Sequence, residues 1–407
     1  MEIPPRFCCN VRTKKLFRCK HARKRRNKYV LKLNMALYGL RQAGFMWFQF
    51  LTSFLLNNGF TQSYVEPCLF YNNELVILIY VDDTLFIAKN QSSLDDILSA
   101  LKRTFLLTEE SDIHTFLGIN FTTTSEGNIT LTQTKLIDKV LALTGLATAN
   151  SVPTPATTIL DHDNDGLERE TEWHYRQIVG ILTYISYNTR PDITFAVNQV
   201  SRFCNNPKRS HERAVKRILR YLRGTRTNGI IIQPTSPQLL DCYVDADFSG
   251  LWKSDNSCDP ISVRSRTGYV IMFCGTPLLW CSKLQSEVAL STVEAEYIAL
   301  SQSMRDLLPT KQLLQELQNI FKLPTSTTTT TSTVFEDNAG AIELARCPKM
   351  RPRTKHIAVK YHHFRDHVQK GDITIKPIST TDQIADLFTK PLPEGKFLRL
   401  RQFMIGW

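Results

Sequence analysis

Long apolar runs are missing from this chain of 407 residues. None approaches the roughly 18 consecutive apolar residues that a membrane-spanning helix needs. The longest, Leu75 to Val81, has the length of a strand. No apolar stretch stands behind the N-terminal charges, so no secretory leader is expected. CxxC pairs are missing as well. The ten cysteines are scattered, with Cys8 and Cys9 adjacent and Cys204 and Cys347 isolated, which excludes a disulfide framework. No internal repeat is found. These absences leave a soluble intracellular protein with reduced thiols and no membrane partner as the expectation.

What is present is ordinary in bulk and uneven in detail. An apolar share of 42% and a charged share of 22% suit large buried cores, and the length allows two or three domains. Of the net charge of +12, most sits between Arg12 and Lys28, where ten Lys or Arg stand with no acid. Overall basicity is therefore weak evidence for a nucleic-acid partner, and the positions of single basic residues matter more.

Periodicity divides the chain. Prolines and the basic run make residues 1–34 look irregular. From Leu40 to Asn58 the pattern is helical, with Phe45, Phe48, Leu51 and Leu55 on one face. Strands are expected at Cys68–Asn72 and at Leu75–Ala88, the second folded into a hairpin with Asp82 and Asp83 at its tip. Ser93 reads as the cap of a helix ending near Phe105. Strands at 116–121 and 128–131 and a helix at 133–143 follow. A polar linker with Pro153 and Pro155 leads into a helical region that ends near Leu222. From Leu239 the order is three strands, a long helix that Pro309 kinks or restarts, a strand, a short helix, a late helix, a strand and a last helix. That order reads as an α/β unit with a mixed sheet.

Four acids of this second half stand where elements begin or end. Asp245 closes the first strand, Asp337 the fourth, Glu296 lies in the first turns of the long helix and Asp386 on the last helix. Carboxylates gathered on one rim of a sheet can hold two hard cations for phosphodiester hydrolysis. Taken singly, each acid is as well explained by solvation or by a helix dipole. Ser291-x-x-Glu294 fits a capping box, which leaves Glu296 only slightly ahead of Glu294 as the ligand on periodicity. Thr380-x-x-Gln383 reads as the cap of the last helix.

Tyr243-Val-Asp245-Ala-Asp-Phe, Arg266-Thr-Gly-Tyr-Val270, Ala289-Leu-Ser-Thr-Val-Glu-Ala-Glu296-Tyr-Ile-Ala-Leu, Glu336-Asp-Asn-Ala-Gly-Ala341, Lys355-His-Ile and Gln383-Ile-Ala-Asp386-Leu-Phe-Thr-Lys-Pro391 occur in that order. The series resembles the ribonuclease H domain of copia-type LTR retrotransposon polyproteins. Upstream, Met1-Glu-Ile-Pro-Pro-Arg-Phe, Ala36-Leu-Tyr38-Gly39-Leu-Arg41-Gln42-Ala, Tyr80-Val-Asp82-Asp83 and Phe116-Leu-Gly118-Ile resemble the reverse transcriptase of the same family. Tyr175-Arg-Gln-Ile-Val-Gly180, Thr189-Arg-Pro-Asp192-Ile and Ala214-Val-Lys-Arg-Ile-Leu-Arg-Tyr-Leu222 resemble its connecting region.

The resemblance implies an α/β and α+β multidomain chain. A basic segment (1–34) precedes a partial palm and primer-grip region (35–147), a linker with helical thumb or connection (148–236), a ribonuclease H-like mixed five-stranded sheet with flanking helices (237–393) and a tail (394–407). It implies Mg2+-dependent hydrolysis of the RNA strand of RNA–DNA hybrids. Asp245, Glu296, Asp337 and Asp386 would hold two Mg2+ ions, with Mn2+ able to substitute, and Asp82 and Asp83 would be the palm acids. Template-primer nucleic acid is the partner of the polymerase half. The chain starts downstream of the strand that should carry a further palm aspartate, so DNA synthesis by this chain alone is not expected; the rival reading is an inert remnant that only binds nucleic acid. The family implies a cytoplasmic, virus-like-particle setting, with the nucleus as a second compartment. Ser379-Thr380-Thr381 occupies the stretch where many cellular ribonucleases H carry a histidine.

Tyr38, Gln42, Arg217, Arg220, Arg351, Arg353 and Lys355 are the candidate nucleic-acid contacts. The last three belong to an alternation that begins at Lys349, and Arg217 and Arg220 to a stripe with Arg213, Lys216 and Arg223. Such side chains neutralise phosphates without reading sequence, although a solvated charged face explains them equally well. Two patterns read as decoys. Asp161-x-Asp163-x-Asp165-Gly166-x5-Glu172 fits a calcium loop, but prolines deny it an upstream helix and Glu168 takes an apolar position. His356, His362, His363 and His367 lack a completing ligand and read as a helix face.

Overall fold

Leu75-Val-Ile-Leu-Ile-Tyr80 is a short apolar run rich in β-branched residues, and in the computed structural model it is a strand that buries every second residue, Leu75, Ile77 and Ile79. The structure describes residues 39–110, 114–233, 239–250, 252, 262–321, 332–347 and 361–407, with the backbone alone at 16–18, 29–31 and 359–360. Strands β1 (Leu16–Arg18) and β2 (Tyr29–Leu31) pair antiparallel within the segment expected to be irregular, at Leu-Phe and Tyr-Val-Leu on either side of the basic residues. Two units follow by internal packing: residues 1–112 with 313–323, and residues 113–312 with 324–407.

The first unit sets α1 (Ala43–Asn57) and α2 (Gln91–Thr104) on an antiparallel sheet of β3 (Thr61–Gln62), β4 (Leu69–Tyr71), β5 (Leu75–Tyr80) and β6 (Asp83–Ala88), in that order. Its core is Leu51, Leu55, Phe60, Phe70, Leu75, Ile77, Ile79, Ile97, Leu101 and Phe105. The expected α1 face holds at Leu51 and Leu55 but fails at Phe45, which is 64% exposed. Asn90, not Ser93, caps α2: its side chain accepts the Ser93 N–H at 2.9 Å. The Asn carboxamide sits at the last extended residue, where a cap belongs, and Ser93 is already the third helical residue.

The second unit begins with β7 (Thr115–Phe116), β8 (Ile119–Thr123) and β9 (Ile129–Thr132), then α3 (Thr134–Leu143), α4 (Tyr175–Asn188), α5 (Thr194–Ser201) and α6 (Arg209–Gly224). Strand β10 (Ile230–Ile232) returns to pair with β9. A mixed sheet follows, built from β11 (Leu240–Asp247), β12 (Arg266–Phe273), β13 (Thr276–Leu284), β14 (Ser332–Glu336) and β15 (Ile373–Pro377). Its order is β13-β12-β11-β14-β15, antiparallel up to β11 and parallel beyond it. Helices α7 (Thr292–Phe321), α8 (Ala339–Arg346), α9 (Arg365–Gln369), α10 (Asp386–Thr389) and α11 (Glu394–Ile405) complete it.

Helix α7 is one element with Pro309 inside it, where the sequence suggested a kink or a restart, so no restart occurs. Its last turns belong to the first unit, where Glu316 accepts from the Ser63 hydroxyl at 2.8 Å and the Tyr71 hydroxyl at 2.9 Å. The expected tail at 394–407 is helix α11, which buries Phe397, Leu400, Met404 and Ile405. Those residues share one core with α3 to α6, α10 and the Tyr243, Val270, Met272 and Trp280 face of the sheet. Inside that core Arg190 and Asp192 form an ion pair of 2.7 Å with neither side chain exposed, and the Tyr221 hydroxyl donates to Asp192 at 2.6 Å. Among the described residues, no helix is long and apolar enough to cross a membrane.

Candidate metal centre

The central strand β11 carries Asp245 into the interior, and its neighbours bring the other acids to it. Asp245 lies opposite Gly268 in the β11–β12 register. A Cβ on Gly268 would meet Thr389 Cγ2 at 2.6 Å and Phe388 Cβ at 2.8 Å, so the missing side chain is what lets α10 close over the strand. Thr389 then donates its hydroxyl to Asp245. Gln383, fully buried, donates to the Val244 carbonyl at 2.8 Å and accepts the Ala385 N–H at 3.3 Å. It pins the segment to the strand and does not cap a helix from Thr380 as the spacing suggested, because α10 starts only at Asp386.

Glu296 enters from the first turns of α7, accepts from the backbone of Ala246, and leaves its Oε2 buried without a hydrogen-bond partner. Glu294, two residues earlier, accepts the Leu290 N–H at 2.7 Å while Ser291 accepts the Glu294 N–H at 3.2 Å, so it closes the helix start. Asp337 follows the last residue of β14, half-buried, and accepts from the Thr380 hydroxyl at 2.9 Å. Oxygens of Asp245, Glu296 and Asp337 lie within 4.8 Å of one another, and this is the one such group of three or more metal-ligating side chains among the described residues.

Burial raises the Asp245 pKa to about 7; Lys390 opposes that rise, while Asp386 and Asp337 add to it. Glu296 is pushed up to about 11, first by burial and then by the charges of Glu336, Asp245 and Asp337. Glu336, fully buried at the end of β14, is raised well above the carboxylate range by burial and by Asp337 and Asp245, against the opposing N–H of Asn338. Its Oε2 has no hydrogen-bond partner. So many carboxyls cannot all ionise side by side in a buried site unless a cation joins them. An all-oxygen donor set with an orphaned carboxylate oxygen fits a hard divalent ion.

Asp386 stands apart from the three-acid group. Its side chain is fully buried, with Lys390 Nζ 2.6 Å from Oδ1 and Lys396 Nζ against Oδ2. Lys390 also lies 3.6 Å from Asp245 Oδ2. Burial works against the Lys390 ammonium, yet Asp245 and Asp386 raise its pKa. Lys390, Lys396, Thr389 and Glu336 have no assigned role in the sequence, and Thr380 reads there only as a helix cap. Only Lys390 left a signal there, four residues after Asp386, the spacing of a helical ion pair.

Asp82 and Asp83 sit at the β5–β6 turn, with Asp83 opposite Tyr80 and Val81 at φ 58°. Trp47 of α1 donates to the Val81 carbonyl at 2.9 Å. Among the described residues no third acid joins this pair in a ligand group. Gln42 is exposed at the start of α1. Arg217 donates to Thr154 at 2.8 Å and Arg220 to the Asn150 carbonyl at 2.6 Å, so both tie the linker to α6. Tyr38, Arg351, Arg353 and Lys355 lie outside the described residues. The acidic loop at 161–172 is engaged by the start of α6: Asp163 accepts from Ser210, Glu168 pairs with Lys208, and Glu170 pairs with Arg209 at 2.6 Å. His362, His363 and His367 contact Tyr297, Ser301 and Asp372 respectively, and do not converge.

Residues 20–158 match the reverse transcriptase (RNA-dependent DNA polymerase) family. The chain is 36% identical over 381 residues to the retrovirus-related Pol polyprotein from transposon RE2 of Arabidopsis thaliana, covering 92% of this chain and 25% of that protein. To the Pol polyprotein from transposon TNT 1-94 of Nicotiana tabacum it is 34% identical over 386 residues, covering 90% of this chain and 27% of the relative. It thus spans about a quarter of the length of these curated relatives. A solved N-terminal RNase H domain of a Mycobacterium tuberculosis protein, fused to maltose-binding protein, aligns with 40% of this chain and 97% of its own at 14% identity and a TM-score of 0.25, too low to establish a shared fold. The run of similarity to transposon polyproteins, over nine-tenths of its residues, makes this chain a member of the copia-type LTR retrotransposon Pol polyprotein family.

Proposed function

We propose that residues 239–407 form a ribonuclease H-type nuclease that hydrolyses the RNA strand of RNA–DNA hybrids with Mg2+, Mn2+ serving as a substitute. The observation that carries this reading is the convergence of Asp245, Glu296 and Asp337 within 4.8 Å, from two strands and a helix far apart in the chain. A sheet of order β13-β12-β11-β14-β15, with its acids at the ends of the central strands, supports the ribonuclease H assignment. In the first unit, the antiparallel sheet with Asp82 and Asp83 at its turn supports the palm of a reverse transcriptase.

Bound there, a divalent ion would polarise the scissile phosphate and lower the pKa of an attacking water. The protein's part is to hold the ligands in place. Ala246 directs Glu296 through its backbone, Thr389 directs Asp245 and Thr380 directs Asp337, so the three carboxyls need little reorganisation to receive an ion. A hybrid is recognised largely by groove shape and 2′-hydroxyls, so little base specificity is expected.

A second reading, binding without cleavage, draws on Asp386, both of whose oxygens face lysines. A gel assay on a labelled RNA–DNA hybrid with Mg2+ separates the two. Cleavage that disappears in Asp245→Asn and Asp337→Asn supports the nuclease. A retarded but intact hybrid with the unmodified chain supports the remnant. We assign no RNA-templated DNA synthesis to this chain, since Asp82 and Asp83 lack a third acid among the described residues.

A further inference from the structure

We propose that Arg399 of α11 is a positioning residue for Asp337, acting through the turn at residues 379–382. The inference rests on the metal-dependent reading above and names what holds the most exposed of its three converging acids.

Asp245 and Glu296 are 3% and 5% exposed, whereas Asp337 is only half-buried. The side chain that holds Asp337 is Thr380, whose hydroxyl donates to Oδ2 at 2.9 Å. Thr380 is itself exposed, and so are Ser379, Thr381 and Asp382, so no buried side chain fixes the turn between Ile378 and Gln383. Its internal bonds are local: the Asp382 N–H donates to the Ser379 carbonyl at 2.8 Å and the Thr381 N–H to the Ser379 hydroxyl at 3.3 Å. An exposed turn held by such bonds alone opens readily, and Asp337 would lose its donor each time.

Helix α11 supplies the missing hold. One arm of the Arg399 guanidinium donates to Asp382 Oδ1 at 3.0 Å and the other to the Thr381 carbonyl. Lys396, three residues earlier and so a neighbour on the helix surface, donates to the Thr380 carbonyl at 3.0 Å. Three consecutive residues of the turn are thus gripped from one helix, which is itself fixed by burial of Phe397, Leu400, Met404 and Ile405. The Arg399–Asp382 pair is more than half exposed and contributes little as an ion pair. Its fork matters because it ties a carboxylate and a backbone carbonyl at once, which fixes the backbone that carries Thr380.

Charge alone would have the opposite effect. A guanidinium near an acid cluster repels cations, so removing it would tighten metal binding by Coulomb's law. Removing a positioning group weakens that binding. The sign separates the two.

The test measures Mn2+ affinity by electron paramagnetic resonance on the full-length protein without nucleic acid, counting only the binding that Asp245→Asn abolishes. Arg399→Met, which keeps the apolar stem, is expected to weaken it roughly three- to tenfold, the range of one net hydrogen bond. Thr380→Val should weaken it at least as much, and the double variant no more than Thr380→Val alone, because the two groups act in series. Thr380→Ser keeps the hydroxyl and should bind as the unmodified chain does. On a hybrid, the Mg2+ concentration for half-maximal cleavage should rise by the same factor while the maximal rate is kept. A folded Arg399→Met protein, by its circular dichroism, with unchanged or tighter Mn2+ binding would overturn the proposal, as would a double variant that adds the two losses. The expected Mn2+ pattern in a chain that cleaves nothing would keep this proposal and remove the nuclease reading. A chain that binds no Mn2+ would remove both.

Discussion

Trp47 and Val81 are joined by a hydrogen bond of 2.9 Å from the indole N–H to the backbone carbonyl, and Val81 holds φ at 58°. A β-branched residue in the left-handed region is strained, so something must hold the turn that carries Asp82 and Asp83. Trp47 does so from α1 while its ring packs edge-on against Phe105 at 5.4 Å. Trp47→Phe keeps the packing and deletes the donor. It is expected to destabilise the protein by about 1 kcal/mol, read as a lower urea midpoint. A midpoint equal to that of the unmodified chain would mean the bond does not hold the turn.

Gly268 faces α10 at distances that no side chain tolerates. Gly268→Ala must push back Phe388 and Thr389, at a cost of roughly 1–3 kcal/mol. Because Thr389 positions Asp245, hybrid cleavage should fall at least tenfold, more than the unfolded fraction accounts for. Denaturant titration and cleavage rate on the same sample provide the check.

The raised acids give the metal-free protein an unusual pH profile. An unfolded Asp245 ionises near its ordinary value of 3.8, whereas the folded one does so at about 7. Folded protein therefore binds more protons, and stability present at low pH is lost as pH rises through that interval. Glu296, raised to about 11, and Glu336, raised in the same direction, extend the loss to higher pH. In EDTA the urea midpoint should be higher at pH 5 than at pH 8. Saturating Mg2+ should restore stability at pH 8 and do little at pH 5. A flat profile in EDTA would contradict the burial of these groups.

The two glutamates of α7 should behave oppositely. Glu296→Gln is expected to lower hybrid cleavage by two orders of magnitude or more, a typical loss for a lost electrostatic group. Glu294→Gln leaves the acid cluster intact and keeps an acceptor for the Leu290 N–H at the helix start, costing only about 0.5 kcal/mol. Single-turnover rates and thermal midpoints of both variants decide it. Equal losses of cleavage would place both in the centre.

Much of the architecture was legible because local pattern and tertiary need agree. A β-rich apolar run of a strand's length marked Leu75–Tyr80, and the hairpin with the acids of the Tyr-Val-Asp-Asp turn at its tip followed from it. Tyr297, Leu300 and Met304 recur at helical spacing along α7 and are all fully buried. Phe45 misled because a helical face can extend past what covers it. Ser93 misled because Asn90, three residues earlier, is the better placed acceptor.

By itself the sequence determined which acids are available and in what order the strands and helices carry them, since spacing and side-chain type are local properties. Periodicity left Glu294 and Glu296 nearly even, the family resemblance pointed to Glu296, and the folded chain separates them physically, by turning one to the helix start and the other to the Ala246 backbone. Tertiary structure alone decided that Asp386 is paired with Lys390 and Lys396 while Asp245, Glu296 and Asp337 meet. The reason is distance: a carboxylate's partner is whatever packing brings within a few ångströms, and of these contacts only Asp386 with Lys390, four residues apart, is recorded in neighbouring residues.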